Sequence, residues 1–324
     1  MRIIDFKNKV NALTANGIPF LFVLDFELEK PFVCRLDMLD KNQIYYDIKG
    51  QGNLKSKNNN NLSEVPLQLN SIKKEKYLKA FDYVKSNIIA GDSYLLNLTF
   101  PTKVKTEKNL LEIINQAKAK YRLYFRNEFI SFSPESFIQI KGDKIFTFPM
   151  KGTIDADLPN AENELLNDSK ETHEHNTIVD LMRNDLAMIA TDIKINRFRY
   201  IDKIKTIKGN ILQVSSEIEG ALPKKWKMNF GDILIKLLPA GSISGAPKSK
   251  TIEIIKNAEN EKRGYYTGVF GVFDGENVDS AVLIRYIENK ENQLVYRSGG
   301  GITSQSDADF EYDEMIQKIY IPIK

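Results

Sequence analysis

The chain has 324 residues, 42% hydrophobic and 27% charged, with a formal net charge of +3 at pH 7. This is the composition of a soluble globular protein, long enough to bury a core without disulfide or metal staples. It lies too near neutrality to point to a nucleic-acid or membrane partner, and its lysines and arginines form no long basic block. The single cysteine, Cys34, excludes an intrachain disulfide, a zinc ribbon and an iron–sulfur cluster. Charge interrupts the opening Met1–Lys7 run, unlike a signal peptide. No apolar run reaches the roughly 18 residues of a membrane span, so the expected compartment is the cytoplasm.

Short strand-like runs come first, Pro19 to Phe26 and Pro31 to Arg35. The polar stretch Gly50 to Asn61 follows and reads as a surface loop or linker. Residues 1–70 are therefore expected to be a short N-terminal segment with its linker, and residues 71–324 a catalytic domain. Ile72, Leu78, Phe81, Val84 and Ile88 recur at helical spacing, and Gly91 is placed to end that helix. A strand is expected over Tyr94–Phe100 and a second amphipathic helix over about Glu107–Ala119. Residues 121–149 read as consecutive strands broken at Asn127-Glu128, Ser133-Pro134 and Gly142-Asp143. One long helical region is expected from about Glu162 to Ile189, then alternating strands and helices, and a last helix over about Asp307–Ile319. This pattern suggests a layered α/β or α+β fold.

Glu171 and Glu174 stand three apart on the long helix, so they share a face. Glu311 and Glu314 repeat the spacing, with Lys318 on the same face. One such pair is usually a solvated helix surface. Two pairs that converge would offer oxygen-only ligands, which suit Mg2+. The histidines, His173 and His175, fit neither a di-iron nor a zinc-protease pattern and read as surface or supporting residues.

Lys151, beside Gly152 at a strand end, is either solvent-exposed or set where a ligand approaches the backbone. Gly241 to Ser249 fails the P-loop pattern, because Ala246 and Pro247 separate the second glycine from Lys248; it reads as a glycine-rich turn into a helix that starts near Pro247. Gly299-Gly300-Gly301 is either a flexible turn or a carboxylate-binding run of amides. Arg285, in the β-like run Val282–Tyr286, is either an edge residue or a carboxylate clamp.

Taken together, Ser133-Pro134-Glu135, Pro149–Thr153, Lys170–Leu186, Gly241–Lys248, Gly264–Gly271, Gly299–Ile302 and Glu311–Lys318 resemble the chorismate-binding enzymes. These include component I of anthranilate and aminodeoxychorismate synthases, isochorismate synthase and salicylate synthase. The runs occur in the family's order over about residues 72–324. The resemblance implies an α/β/β/α fold with two stacked mixed or antiparallel sheets, outer helices and the site in a cleft. It implies Glu174 and Glu314 as direct Mg2+ ligands, with Glu171 and Glu311 in the outer shell. Gly152, Thr153, Tyr266, Arg285, Gly299, Gly300, Gly301 and Lys318 match chorismate contacts, and Glu135 matches the acid that protonates the departing hydroxyl.

Two positions choose among family members. Isochorismate and salicylate synthases carry a water-activating lysine where this chain has Leu95, which has no proton-accepting atom. Lys151 resembles the aminodeoxychorismate synthases, where anthranilate synthases usually have alanine. The reaction implied is amination of chorismate to 4-amino-4-deoxychorismate. Its ammonia is expected from a separate glutamine amidotransferase subunit, since Cys34 has no nucleophile turn around it. Gln213 departs from the family's usual histidine, and no tryptophan-pocket element is present. The rival readings are anthranilate synthase component I and a non-catalytic chorismate-binding subunit.

Overall fold

The computed structural model describes residues 1–54, 65–206 and 209–322. Of the expected linker, residues 55–61 lie outside these. In chain order the elements are α1 (Ile3–Ala15), β1 (Phe20–Leu24), β2 (Phe32–Arg35), β3 (Ile44–Ile48), β4 (Gln51–Gly52), β5 (Gln68–Asn70), α2 (Lys74–Ile89), β6 (Leu95–Lys105) and α3 (Leu110–Gln116). Next come β7 (Tyr121–Phe125), β8 (Phe129–Ser133), β9 (Ser136–Lys141), β10 (Lys144–Thr147), β11 (Met150–Asp155), α4 (Ala161–Asn167) and α5 (Ser169–Ala187). The long hairpin β12 (Thr191–Thr206) and β13 (Gly209–Ala221) leads to α6 (Phe230–Leu237), α7 (Gly241–Ser244), β14 (Gly245–Ala246) and α8 (Lys248–Glu259). Last are β15 (Val269–Phe273), β16 (Val278–Val282), β17 (Tyr286–Lys290), β18 (Gln293–Ile302) and α9 (Ala308–Gln317).

The strands form two antiparallel sheets. One runs β11-β13-β10-β9-β16-β15-β1-β2, with β12 on β13; the other runs β14-β6-β18-β17-β8-β7-β3-β4, with β5 on β6. All five residues of β1 are buried, and the strand shows why. Phe20, Phe22 and Leu24 join the core under α1, α5 and α6. Leu21 and Val23 point the other way and meet Leu123, Phe125 and Phe129 of the second sheet. A strand covered on both faces needs an unbroken apolar run, and Phe20–Leu24 provides one. The outer face of the second sheet is closed by α2, α8 and α9 through Tyr77, Phe81, Phe100, Ile254 and Met315, and by α3 through Ile113 and Ile114. The layers are thus α/β/β/α, as the resemblance implied. The first 48 residues contribute to both sheets: β1 pairs with β15 and β3 with β7.

Three local expectations change and one holds. The helical region before Ile189 is two helices, because Asp168 ends α4 and caps α5 by accepting from Glu171 N at 2.8 Å. The second helix is shorter than its periodicity suggested: Asn109 and Glu112 make a capping box that starts α3 at Leu110. Gly241–Ser244 is the expected turn, here helical, and α8 follows it with Pro247 as its N-cap. Gly299–Gly301 is not a turn; it lies inside β18, paired with Leu98, Thr99 and Asn97 of β6. Among the described residues no helix is long and apolar enough to cross a membrane.

One buried ion pair ties α8 to the second sheet. Arg263 is 1% and Glu259 3% exposed. Arg263 Nη2 meets Glu259 Oε1 at 2.6 Å and donates to Asn97 O at 2.5 Å, while Nη1 reaches Ile243 O at 3.1 Å. Glu259 Oε1 also accepts from Thr99 N and Oγ1, both at 2.9 Å. Removing one partner strands the other charge, so Glu259→Ala should lower unfolding stability by about 3–5 kcal/mol in urea titration. A loss below about 1 kcal/mol would contradict this account.

Candidate active site

Two acidic helices converge on the glycine run of β18. α5 brings Glu171 and Glu174, α9 brings Glu311 and Glu314, and neither pair is an open solvated face: Glu174 is 5% and Glu311 2% exposed. A Cβ placed on Gly300 would lie 3.1 Å from Glu311 Oε2, 3.7 Å from Lys318 Nζ and 3.9 Å from Glu314 Oε2. The strand can approach α9 this closely only because residue 300 has no side chain. Beyond Arg297, β18 has no β17 partner and is paired on the β6 side alone. On the open side the Gly299 carbonyl accepts from Lys318 Nζ at 3.0 Å.

From the first sheet, β11 carries Lys151 to the same place. Its Nζ is 2.5 Å from Glu174 Oε2 and would be 3.4 Å from a Cβ on Gly301, whose other neighbour is Leu95 Cδ1 at 3.2 Å. Gly152, at φ 80° in a bulge, lets α5 come close: a Cβ there would stand 3.0 Å from Glu171 Oε2 and 3.2 Å from Leu165 Cδ1. Thr153 is placed by its register opposite Gln213, whose Oε1 is buried with no hydrogen-bond partner.

The charges answer one another. Burial alone would push the Lys151 ammonium down, but Glu174, Glu171 and Glu314 outweigh it and hold the proton above the usual lysine range. Glu314 is opposed by burial, yet Lys318 and Lys151 hold it below the usual carboxylate range. For Lys318, 2.7 Å from Glu314 Oε1, burial wins, helped by Arg285 and Lys151, and its proton is held less tightly than usual. Burial raises Glu135 against Ser242, Arg285 and Lys151.

Arg285 is not in a strand. It sits between β16 and β17 at φ 49°, a left-handed conformation that costs a non-glycine residue about 1 kcal/mol or more. Its guanidinium lies 5.2 Å from the Tyr320 ring, and its buried Nε has no hydrogen-bond acceptor. Tyr266 lies beside it, 4% exposed, with its hydroxyl pushed up to about 12 by burial. These contacts and charge interactions bring the expected site residues together where Lys151 of β11 meets the glycine run of β18, with Thr153 tied to them only through its place beside Gly152.

Among the described residues no group of three or more acidic or histidine side chains stands at metal-holding distance. Glu174 and Glu314 are each capped by a lysine. The donor chemistry nonetheless fits a hard cation: the side-chain acceptors meeting at Gly300 and Lys151 are carboxylate oxygens, without sulfur or imidazole.

Three contacts escaped sequence reasoning. Ser242 Oγ donates to Glu135 Oε1 at 2.6 Å, Ser306 Oγ donates to Glu311 Oε1 at 2.8 Å, and Lys248 pairs with Asp185 at 3.0 Å. All three link residues from motifs already noted or their flanks, but the pairings are tertiary. His175 is also unlike a surface histidine: it is 1% exposed, with Nε2 2.7 Å from Ser216 Oγ. His173 is exposed.

The chain belongs to the chorismate-binding enzymes: residues 26–324 match the model of that family, described as chorismate binding enzyme. An uncharacterized PabA-like protein of Haemophilus influenzae is 50% identical over 323 residues, covering 98% of this chain and 97% of that protein. Anthranilate synthase component 1 1 of Haloarcula marismortui is 33% identical over 264 residues, which is 76% of this chain and 52% of its own. Aminodeoxychorismate synthase component 1 of Bacillus subtilis is 30% identical over 260 residues, 75% of this chain and 54% of its own. Among solved structures, anthranilate synthase component I from Streptococcus pneumoniae superimposes with a TM-score of 0.68 at 28% identity, covering 80% of this chain and 59% of that one.

Burial, with the nearby Arg199 and Lys151 charges, pushes the His175 imidazole down to about 4. The unfolded chain takes up that proton near pH 6.5 and the folded chain does not. The resulting stability is complete above about pH 6.5 and is lost as pH falls toward 4. Urea unfolding of the wild type should show this loss between pH 7 and 4.5, on the order of 2 kcal/mol. His175→Gln should show a shallower slope; parallel pH profiles would refute the assignment.

Proposed function

We propose that this cleft converts chorismate and ammonia to 4-amino-4-deoxychorismate, the precursor of 4-aminobenzoate in folate biosynthesis. The observation that carries the reading is Lys151: an amine on Glu174, facing the glycine run, in a position that direct attack of ammonia on the ring would not require. Arg285 and Lys318, with the free side of Gly299–Gly301, supply cations and amides for the substrate's two carboxylates. Tyr266 and Gly152–Thr153 bound the ring.

In this reading Glu174 and Glu314 would hold Mg2+, with Glu171 and Glu311 supporting them, and the bound ion would supply positive charge to a substrate carboxylate. Attack requires the neutral amine, which burial favours against the pull of Glu174, Glu171 and Glu314 on the Lys151 proton. The amine attacks C2 of chorismate. The ring double bonds shift, the C4–O bond breaks, and Glu135 gives its proton to the departing hydroxyl, which leaves as water. Ammonia then forms the C4–N bond and gives a proton back to the Glu135 carboxylate, the double bonds shift back, and Lys151 leaves C2 as the free amine, taking the C2–N bonding pair. Leu95 lines the Lys151 side with an apolar wall, so no base there activates water. The ammonia comes from a separate glutamine amidotransferase subunit.

The rival, anthranilate synthase component I, is supported by the 33% identity to the Haloarcula protein. A turnover assay with chorismate, Mg2+ and ammonium, with products separated, decides between them: 4-amino-4-deoxychorismate is expected, and anthranilate as the product would overturn the proposal. Glu135→Gln should lower kcat by about 10²–10⁴-fold. Mass spectrometry of the chain quenched with chorismate but no ammonia should show an adduct on Lys151, and its absence would count against the covalent route.

A further inference from the structure

Glu135 lies just after β8, and one of its two carboxyl oxygens is already occupied. Ser242 Oγ donates to Oε1 at 2.6 Å. Ser242 stands on α7, a single helical turn with too few bonds to orient itself. Its orientation comes from α5. A Cβ on Gly241 would lie 2.7 Å from Asp185 Oδ2 and 3.1 Å from Leu181 Cγ, so this turn rests on α5 only because residue 241 is glycine. Asp185 is itself buried and paired with Lys248 Nζ at 3.0 Å, and the same ammonium donates to Leu237 O at 3.0 Å. The ion pair therefore clamps both ends of the segment that presents Ser242. Glu171 and Glu174 ride the same helix, with Asp185 about 16 Å further along it than Glu174.

We infer that Ser242 is a positioning residue for Glu135: its hydroxyl, clamped through Gly241 and Asp185, holds Oε1 and leaves Oε2 to carry the proton toward the substrate. The inference rests on Glu135 being the acid of the proposed reaction. A hydroxyl donating to the carboxylate stabilises the ionised form, opposing the effect of burial. Ser242 thereby keeps a buried acid willing to release its proton, and α5 links that acid to the carboxylates of the same cleft.

The test is a 13C NMR titration of glutamate-labelled full-length chain without substrate, with Glu135→Gln used to assign the resonance. In Ser242→Ala the Glu135 midpoint should rise by about one pH unit, and in Ser242→Thr, which keeps the hydroxyl, it should stay near the wild-type position. With chorismate, Ser242→Ala should lose about tenfold or more in kcat with little change in KM, and Ser242→Thr should recover it. An unmoved midpoint in Ser242→Ala, or a threonine variant that titrates like alanine, overturns the inference. Because the titration needs no substrate, a wild-type chain that fails to turn over chorismate would sink the reaction assigned above without altering the titration.

Discussion

Four carboxylates from two helices are gathered around Lys151 and Gly300, and their mutual repulsion is the constraint around which the site is arranged. Like charges at such distances are tolerated only where opposite charge or hydrogen bonds answer each of them. Lys151 answers Glu174, Lys318 answers Glu314, and Ser306 donates to Glu311. The lysines come from different layers: β11 belongs to one sheet, and Lys318 follows the helix on the outside of the other. The balance therefore exists only when both sheets are stacked and α5 and α9 are docked.

Close approach is the second requirement, met by glycines at three of the contacts. Gly300 admits α9, Gly152 admits Glu171, and Gly241 admits Asp185. A methyl group at any of these points would press on a carboxylate oxygen or its neighbours. Strain at Arg285 belongs to the same economy of space: the left-handed backbone turns its guanidinium inward, where its Nε lacks an acceptor.

The stiffness behind this geometry comes from the core rather than from the site. Arg263 and Glu259 bind α8 to Thr99 and Asn97 of β6, and Asn97 pairs with Gly301. Aromatic and aliphatic side chains fill both helix layers and the space between the sheets. The lysine–carboxylate pairs of the site stand on these strands and helices at 2.5 and 2.7 Å.

Much of this was legible in residue order. The apolar run from Pro19 to Phe26 announces a strand, and the spacing of Glu171/Glu174 and Glu311/Glu314 places each pair on one helix face. Leu95 and Lys151 already bear on which reaction the cleft supports. Local periodicity carries these facts because they concern neighbours along one helix or strand. Only the tertiary structure decided that the glycine run belongs inside β18, that Arg285 sits in a left-handed turn, that Asp168 splits the long helix, and that Ser242 reaches Glu135. Each depends on a partner from a distant stretch of chain or on a cap that competes with periodicity. A pattern within one element holds no record of which other element will be pressed against it.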